Sequence, residues 1–425
     1  MVRLEEHKTR TEDKAIERMP LSPRVTIPLI QHLGKAGVAE VKPADIVFVG
    51  QRIAYADAHV FAPIHASVSG KVVGIADSLH PVLGRSKAII IDNDGKDTLF
   101  NKTPVQRSRE EVENFTADQI RKAVFDAGIV GLGGAGFPTH IKLNPPKPVE
   151  YLVINGAECE PYLTGDYRLM IEHTEEIIAG IEILSRCLRV KKIYIAIEDN
   201  KPEAIEKFTV HGSQFIVRAL KTEYPQGGEK QLIKKILNKE VPQGKLPFDV
   251  GVVVQNVATV FAVYEAVYLN KPLYERVLTV TGSCLSSPRN LMVRLGTPVR
   301  DLIEFCGPLK EEPAKIVIGG PMMGIAQYTA DVPVIKTTTG VVLLNEDEAA
   351  IRKEIACIRC GACIRACPVG LMPCIMNLAS LKELWSQVKD YGAMDCIECG
   401  CCNYVCPAAR NIVQTIKRAK LEIAK

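Results

Sequence analysis

The chain has 425 residues, 47% of them hydrophobic, and a formal net charge of +4, which is enough chain for two to four domains and too little charge to indicate nucleic-acid binding. Its most apolar stretch, residues 250–269, contains Gln255, Asn256 and Glu265, so no membrane span is predicted. The charged N-terminus lacks an apolar signal region, and fourteen cysteines without a secretion signal indicate metal ligation in a reducing, cytoplasmic compartment.

Residues 1–25 are charged and have no hydrophobic period, so they are predicted to form a tail or a partner-facing arm. Residues 26–105 carry short apolar runs separated by Gly, Pro and Asp turns, typical of a small β barrel or sandwich. Within them, residues 41–53 and 61–73 resemble the biotinyl/lipoyl hammerhead module, in which a lysine on the intervening hairpin is modified. Here that hairpin, residues 54–59, has no lysine. We therefore expect a barrel-sandwich domain without a swinging arm.

A glycine-rich loop follows the first predicted helix. Residues 118–127 have helical spacing with Thr116 as N-cap, and Gly-Leu-Gly-Gly-Ala-Gly-Phe-Pro comes next at residues 131–138. The loop satisfies G-x-G-x-x-G, but the Rossmann fingerprint requires a preceding strand, so an ordinary dinucleotide site is disfavoured. Backbone N–H groups in such a loop can approach a phosphate or a flat ring. A tight turn is the alternative.

The segment from residue 106 to residue 272 is predicted to be an α/β domain around a mostly parallel sheet. Strands are predicted at 149–155, 192–198, 214–220 and 250–254, and helices at 166–189, 202–208, 228–238 and 257–269. Polar loops at 155–161, 223–230 and 255–259 fall at strand ends, where open sheets collect ligands, so we expect them to converge on one crevice. For the paired acids Glu158 and Glu160 the alternative is a solvated loop.

Residues 273–345 are predicted to form a small β-grasp-like module, with strands around a helix at 299–305. Residues 346–425 are predicted to be a helical, ferredoxin-like domain. In it a helix at 347–355 leads into two cysteine runs, and a helix at 379–388 separates them.

Both cysteine runs read C-x2-C-x2-C-x3-C-P, the pattern with which bacterial ferredoxins hold [4Fe–4S] clusters. In two-cluster ferredoxins the fourth cysteine of each run ligates the other cluster. We assign Cys357, Cys360, Cys363 and Cys406 to one cluster, and Cys396, Cys399, Cys402 and Cys367 to the second. Structural zinc and disulfides are the alternatives, but zinc sites normally present cysteine pairs with wide gaps.

The remaining cysteines are predicted not to be ligands. Choosing Cys401 instead of Cys402 would break the ferredoxin spacing. Buried small apolar residues are the expected role of the other five, which are Cys159, Cys187, Cys284, Cys306 and Cys374.

Nearly the whole chain after the first two dozen residues resembles the C subunit of the Rnf electron-transport complex, and more distantly the NADH-binding flavin subunit of respiratory complex I. The segments that carry the resemblance are 131–143, 154–161, 224–232, 253–267, 319–324 and both cysteine runs. The resemblance implies a Rossmann-like FMN/NADH-binding α/β domain, followed by an SLBB module of β-grasp type.

In the larger family these loops surround FMN, with NADH stacked over its ring. Carried over by position, the resemblance implies FMN contacts from Gly133, Gly134, Gly136, Lys142, Asn155, Glu158, Tyr224, Gly227, Gly228, Glu229, Asn256 and Thr259. It places Phe137 and Glu160 beside the nicotinamide nucleotide. Of these, Phe137, Lys142 and Glu160 are the expected catalytic residues: Lys142 would stabilise negative charge on the flavin, and Glu160 would orient the nucleotide.

The chain departs from its relatives at three places. Leu132 stands where the complex I subunit has arginine, Ala157 where it has an acid, and the N-terminus lacks the Gly-Gly-x-His-Pro-Pro stretch of typical Rnf C subunits.

The resemblance implies an NADH-oxidising or NAD⁺-reducing iron–sulfur flavoprotein subunit that passes electrons between NADH, FMN, two [4Fe–4S] clusters and a partner subunit. The partner complex would be an Rnf-type membrane complex, or a soluble reductase complex such as methylenetetrahydrofolate reductase. Membrane association, on the inner face of the cell membrane, would be indirect and through partner subunits. A flavin-free electron-transfer subunit without its own NADH site is the alternative. A metal-sensing or nucleic-acid-binding protein would need a basic patch that the sequence does not show.

Overall fold

The structure is a computed structural model that describes residues 1–102, 104–211, 214–350 and 352–425. Residues 2–18, which we call the N-terminal segment, do not form the predicted tail. Their strand β1 (Ile16–Arg18) pairs in parallel with a strand of the third domain, and Lys8 and Thr11 are buried. Buried polar contacts hold the segment together with three scattered apolar side chains, Val2, Leu4 and Ile16. These residues follow no hydrophobic period, so the sequence did not reveal their packing.

The first domain is the predicted barrel sandwich. Its two antiparallel sheets, in the strand orders β2-β8-β7-β4 and β3-β5-β6, enclose a core that includes Val25, Ile53 and Ile89. The strands are β2 (Arg24–Pro28), β3 (Val38–Ala39), β4 (Ile46–Val47), β5 (Arg52–Tyr55), β6 (Ile64–His65), β7 (Gly70–His80) and β8 (Gly84–Asn93).

The second domain is the predicted α/β domain. Its four strands are all parallel, in the order β11-β10-β9-β12. They are β9 (Tyr151–Gly156), β10 (Lys192–Glu198), β11 (Ile216–Leu220) and β12 (Val252–Asn256). The helices are α1 (Arg109–Glu113), α2 (Ala117–Asp126), α3 (Thr139–Lys142), α4 (Gly165–Glu172), α5 (Thr174–Leu188), α6 (Pro202–Val210), α7 (Glu229–Leu237) and α8 (Val257–Tyr268). Short 3₁₀ turns lie at Phe100–Lys102 and Pro247–Val250.

Two local predictions in this domain have clear outcomes. Thr116 caps α2 as expected, since its side chain accepts the N–H of Gln119 while the Gln119 side chain accepts the Thr116 N–H. The single helix predicted over 166–189 is wrong: it is divided at His173, whose φ of −128° and ψ of 39° are not helical.

The glycine-rich loop follows helix α2 and not a strand. This is the order of elements that disfavoured a Rossmann fingerprint.

The third domain is a six-stranded mixed sheet in the order β1-β14-β13-β17-β15-β16, packed with one helix, as expected of a β-grasp-like module. Its elements are β13 (Glu275–Gly282), β14 (Arg289–Arg294), α9 (Val299–Phe305), β15 (Lys315–Ile318), β16 (Ile325–Gln327) and β17 (Gly340–Leu344).

The C-terminal domain is helical. Its helices are α10 (Glu346–Ala349), α11 (Ala362–Ala366), α12 (Pro373–Leu381), α13 (Trp385–Asp390), α14 (Cys401–Tyr404) and α15 (Ile412–Ile423), with a 3₁₀ turn at Ala393–Asp395. The helix predicted over 347–355 is wrong beyond Ala349, because Ala350, with a φ of −55° and a ψ of 122°, is not helical; Ile351 lies outside the described residues. The helix predicted over 379–388 is also wrong, because Glu383, with a φ of 56°, separates α12 from α13. Among the described helices, none has both the length and the apolar character needed to cross a membrane.

Candidate functional site

A cavity of about 390 Å³ lies at the carboxyl edge of the parallel sheet, where the loops after β9 and β12 meet. Nine of the residues predicted to contact FMN or nucleotide line it: Gly133, Asn155, Glu158, Glu160, Tyr224, Gly227, Gly228, Glu229 and Asn256. The loops therefore converge on one crevice as the sequence predicts. Its volume is within the range of small-molecule sites. Five predicted residues do not line it: Gly134, Gly136, Phe137, Lys142 and Thr259.

The glycine-rich loop forms one wall, and the wall leaves no room for a side chain at Gly133. A Cβ there would lie 2.8 Å from the Asn256 side-chain nitrogen. Thr259 acts behind the loop: its hydroxyl accepts the Leu132 N–H over 2.9 Å. Gly136 has a φ of +65°, a conformation that favours glycine. At Gly133 the loop thus presents bare backbone to the cavity, which suits binding of a flat ring or a phosphate.

Lys142 is paired at the rim. Its Nζ donates to Glu229 Oε1 over 2.7 Å and to the Val254 carbonyl over 3.3 Å. Both charged side chains are about one third exposed. The pair joins α3 to the first residue of α7. The Glu229 carboxylate, which lines the cavity, therefore positions the Lys142 ammonium group. That Lys142 stabilises negative charge on the flavin stays a prediction.

The acids Glu158 and Glu160 are half-buried, and backbone N–H groups hold both carboxylates. The Glu158 carboxylate accepts the N–H groups of Asp166 (2.7 Å) and Tyr167 (3.1 Å) and so caps α4. The Glu160 carboxylate accepts the N–H groups of Met322 (3.1 Å) and Met323 (2.9 Å) from the third domain. Burial raises the pKa of Glu160 to about 7. The alternative of a solvated loop is therefore wrong for both acids.

Three charged residues of the cavity wall were not predicted as site residues: Asp166, Lys230 and Arg276. The carboxylate of Asp166 accepts the Asn256 side-chain N–H over 2.6 Å, and burial, followed by the nearby Glu158 charge, raises the pKa of Asp166 to about 7. Arg276 is buried and donates to the Leu132 carbonyl over 3.3 Å. Its guanidinium therefore lies beside the glycine-rich loop. An arginine inside an apolar strand was the sequence signal that could have identified it.

The eight predicted cluster cysteines separate into two cavities. One, of about 340 Å³, is lined by Cys357, Cys360, Cys363 and Cys406. The other is lined by Cys367, Cys396, Cys399 and Cys402. Of these eight thiols, each cavity thus receives three from one run and one from the other. This crossed grouping is the one expected of a two-cluster ferredoxin.

The donor sets suit iron–sulfur cubes. A cube needs four thiolates spread around a volume, since each binds its own iron, and among the described residues no three His, Cys, Asp or Glu side chains converge on a single-ion site. The first cavity has ample volume. The second is only about 20 Å³, so there the fit rests on the four sulfurs and on the apolar lining.

Two further thiols were placed differently from expectation. Cys374 was predicted to be buried, but it is only partly buried and lines the first cluster cavity. Cys159 is likewise partly buried and lines the 390 Å³ cavity, where its sulfur accepts the Gly227 N–H over 3.2 Å. Cys187, Cys284 and Cys306 are buried as predicted. The thiol of Cys401 lies in the wall of the second cluster cavity and approaches the Tyr224 carbonyl at 4.0 Å.

Models of four protein families match successive parts of the chain. They are the RnfC barrel sandwich hybrid domain over residues 2–96, the Nuo51 FMN-binding domain over 124–265, the SLBB domain over 277–326 and the 4Fe-4S dicluster domain over 349–420. A chain of the NAD⁺-reducing [NiFe]-hydrogenase in the H₂-reduced state shares the fold with a TM-score of 0.51 at 19% identity. The match covers 72% of this chain and 64%, under two thirds, of that one.

Fold and sites together define an iron–sulfur flavoprotein of electron transport whose cofactors are FMN and two [4Fe–4S] clusters. The chain is 47% identical to the C subunit of the proton-translocating ferredoxin:NAD⁺ oxidoreductase complex of Clostridium ljungdahlii, over 98% of its length and 92% of that protein. It is 44% identical to the C subunit of the Na⁺-translocating ferredoxin:NAD⁺ oxidoreductase complex of Acetobacterium woodii, over 94% and 90%. The chain therefore belongs to the RnfC family.

Proposed function

We propose that the chain exchanges electrons between NADH or NAD⁺ and a partner subunit, by way of FMN and the two clusters. The names of the similar Clostridium and Acetobacterium proteins, subunits of ferredoxin:NAD⁺ oxidoreductases, support nicotinamide nucleotide as the substrate. The cavity at the edge of the sheet supports it too, because it combines a bare glycine loop with acids held in fixed positions.

The observation that carries the proposal is the position of Ile397, which lines both the 390 Å³ cavity and the second cluster cavity. Tyr224 and Cys159 from the flavin side pack in one apolar cluster with Cys399 and Cys401 from the iron–sulfur side. The FMN site and the second cluster site would therefore share Ile397 as a wall residue, which supports direct electron transfer between the two cofactors.

Bound FMN would supply the exchange of electron pairs with nicotinamide and of single electrons with iron–sulfur centres. The chain's own residues would hold the geometry. Gly133 lets the ring approach backbone, Asn256 and Asp166 fix the adjacent wall, and Glu160 would bind nucleotide when ionised. Phe137 and Lys142 lie outside the cavity lining, and their contacts with nicotinamide and flavin belong to the same proposal. Apolar side chains of both domains pack together between the two cavities.

The proposed setting is a complex on the inner face of the cell membrane, which the chain would join through partner subunits. Support comes from the names of its relatives, which are subunits of ion-translocating complexes. A soluble reductase complex is the other setting that the sequence predicted. Purification of the native complex from membranes, with identification of the bound proteins, distinguishes the two.

The direct test is anaerobic titration of the iron-replete protein with NADH. We expect acid-released FMN and bleaching of both flavin and iron–sulfur absorbance, with NADPH as the comparison nucleotide. Iron-replete protein that contains no flavin, or flavin that NADH does not bleach, would refute the proposal.

A further inference from the structure

The N-terminal segment lies across the two loops that bear the flavin-site acids and Tyr224. Val2 forms an antiparallel bridge with Tyr224: the Val2 N–H donates to the Tyr224 carbonyl over 2.9 Å, and the Tyr224 N–H donates back over 2.8 Å. The Tyr162 N–H donates to the Glu6 carbonyl over 2.8 Å. A part of the chain far from the α/β domain in sequence therefore completes the backbone hydrogen bonds of the cavity wall.

Lys8 makes three hydrogen bonds to the loop that bears Glu158 and Glu160. Its side chain is 6% exposed, and its ammonium group donates to the carbonyls of Glu158 (2.9 Å), Glu160 (3.0 Å) and Leu163. All three ammonium protons are thus used on one loop. Desolvation lowers the pKa of Lys8, so these charge-assisted bonds offset a real cost of burying the group.

A second buried lysine holds the start of the same loop. Lys201 Nζ donates to the Ala157 carbonyl over 2.8 Å and to the Glu198 carboxylate over 3.0 Å. The carbonyls of the loop therefore point toward two ammonium groups on one side. On the other side, the carboxylates of Glu158 and Glu160 lie in the cavity wall.

The loop needs this support, because its backbone is unusual. Glu158 has a φ of 44° and Tyr162 a φ of 70°, left-handed conformations that are strained for residues other than glycine. Lys8 bridges the span between these two residues, since it bonds the carbonyls of Glu158, Glu160 and Leu163. Without the ammonium group, three inward-facing carbonyls would lose their donor, and the loop could relax.

We propose that Lys8 is a positioning residue of the flavin site, and that residues 2–8 form a strap that fixes the loop at residues 158–163 and Tyr224 in their binding conformation. The inference rests on the proposed function, and it assigns to residues 2–8 a role in cofactor and nucleotide binding. Lys8 acts through the loop, since its own ammonium contacts the backbone and not the cavity.

Lys14 provides a matched control. It is a lysine of the same segment, and its ammonium group bonds the Pro288 carbonyl of the third domain over 3.1 Å, away from the flavin loop. The experiment compares wild type, Lys8→Met and Lys14→Met in the full-length, iron-replete protein. It measures iron content, the Kd for FMN after reversible flavin removal, and the KM for NADH with ferricyanide at saturating FMN.

For Lys8→Met we expect retained iron, an FMN Kd raised about tenfold and an NADH KM raised several-fold, with a smaller change in kcat. Lys14→Met should match wild type. Unchanged Kd and KM in Lys8→Met would overturn the proposal. Equal losses of iron and flavin in both variants would also overturn it, because they would indicate general destabilisation. Wild-type protein that binds FMN without reduction by NADH would refute the proposed function, while the FMN Kd would still test Lys8.

A measurement on the wild-type protein tests the proposal even if the Lys8 variant fails to fold. Amide hydrogen exchange is compared with and without FMN. We expect residues 2–8 and 158–163 to gain protection together when FMN is added, since the strap and the loop share hydrogen bonds. Protection of the loop without any change in the segment would overturn the proposal.

Discussion

The Glu160 carboxylate accepts the main-chain N–H of Met323 over 2.9 Å and so fastens the flavin loop to the third domain. Gly320 lies near the same carboxylate, and a Cβ there would be only 2.1 Å from a Glu160 oxygen. The third domain therefore packs closely against Glu160. Glu160, which is expected to orient the nucleotide, therefore also links the second domain to the third. Its ionisation should affect both nucleotide binding and the stability of the protein.

The first prediction concerns pH. Burial raises the pKa of Glu160 from 4.5 to about 7, so between these values the folded protein holds a proton that the unfolded chain has released. The free energy of unfolding should therefore fall as pH rises through this window and change no further above it. Glu160→Gln lacks this contribution. Relative to the variant, the wild type should lose about 1–3 kcal/mol of unfolding free energy across the window.

Calorimetric melting of both FMN-saturated proteins between about pH 5 and pH 8 measures this difference. Asp166, whose pKa is also raised to about 7, is present in both proteins, so its contribution largely cancels in the comparison. Parallel pH curves for the two proteins would show that Glu160 does not titrate in this range.

The second prediction concerns the glycine loop. Gly133→Ala would place a methyl group 2.8 Å from the Asn256 side-chain nitrogen, and Asn256 also caps α8 by accepting the N–H groups of Ala258 and Thr259. We expect FMN retention to fall about tenfold with little change in the fold. Flavin-to-iron ratios after gel filtration give the measurement.

Gly131→Ala is the matched control, because a Cβ there meets its nearest neighbours at an ordinary 3.7 Å. If Gly131→Ala loses as much flavin as Gly133→Ala, the loss reflects stiffening of the loop backbone and the contact with Asn256 is not its cause.

Local patterns made much of this site predictable. The Thr116 cap, the alternation of strands and helices, and the convergence of loops after β9 and β12 all follow from periodicity and from the geometry of parallel sheets. The ferredoxin spacing likewise placed the eight cysteines in two sets of four, and the two cavities group them in the same way.

Contacts between side chains and distant backbone were not predictable. Lys8 bonds carbonyls about 150 residues away, and the buried Arg276 bonds the Leu132 carbonyl. Such contacts have no period, and a charged residue is ordinarily expected at the surface. The same limitation explains the missed break at His173, because helical spacing of apolar residues continues across it even though the backbone turns.

The third prediction tests the crossing of the cysteines. Because Cys406 lines the cavity of the first run, Cys406→Ala should destroy the Cys357 cluster, with a loss of about four iron atoms per chain. Adding Cys357→Ala to Cys406→Ala should remove no more iron, whereas adding Cys396→Ala should remove the second cluster as well. Iron analysis and electron paramagnetic resonance of the reduced proteins give the count. Complete loss of iron from the variant with both Cys406→Ala and Cys357→Ala would contradict the crossed grouping.

The fourth prediction concerns the order of the two clusters. Ile397 is shared between the flavin-type cavity and the cavity that contains Cys367 and Cys396, whereas Cys360, at the other cavity, is exposed to solvent. The Cys396 cluster should therefore accept electrons first and pass them to the Cys357 cluster. In Cys406→Ala, which keeps the Cys396 cluster, NADH should still reduce the remaining iron–sulfur centre rapidly.

Cys367→Ala keeps only the Cys357 cluster. In this variant NADH should reduce the flavin at the wild-type rate. It should reduce the Cys357 cluster at least about a hundredfold more slowly than in wild type, because the Cys396 cluster that carries electrons between them is gone. Dithionite should reduce the remaining cluster in both variants, which controls for its integrity. Rapid-freeze electron paramagnetic resonance after mixing with NADH separates the two steps. Equal rates of cluster reduction in the two variants would show that both clusters exchange electrons with the flavin directly, and that the wall at Ile397 does not define the path.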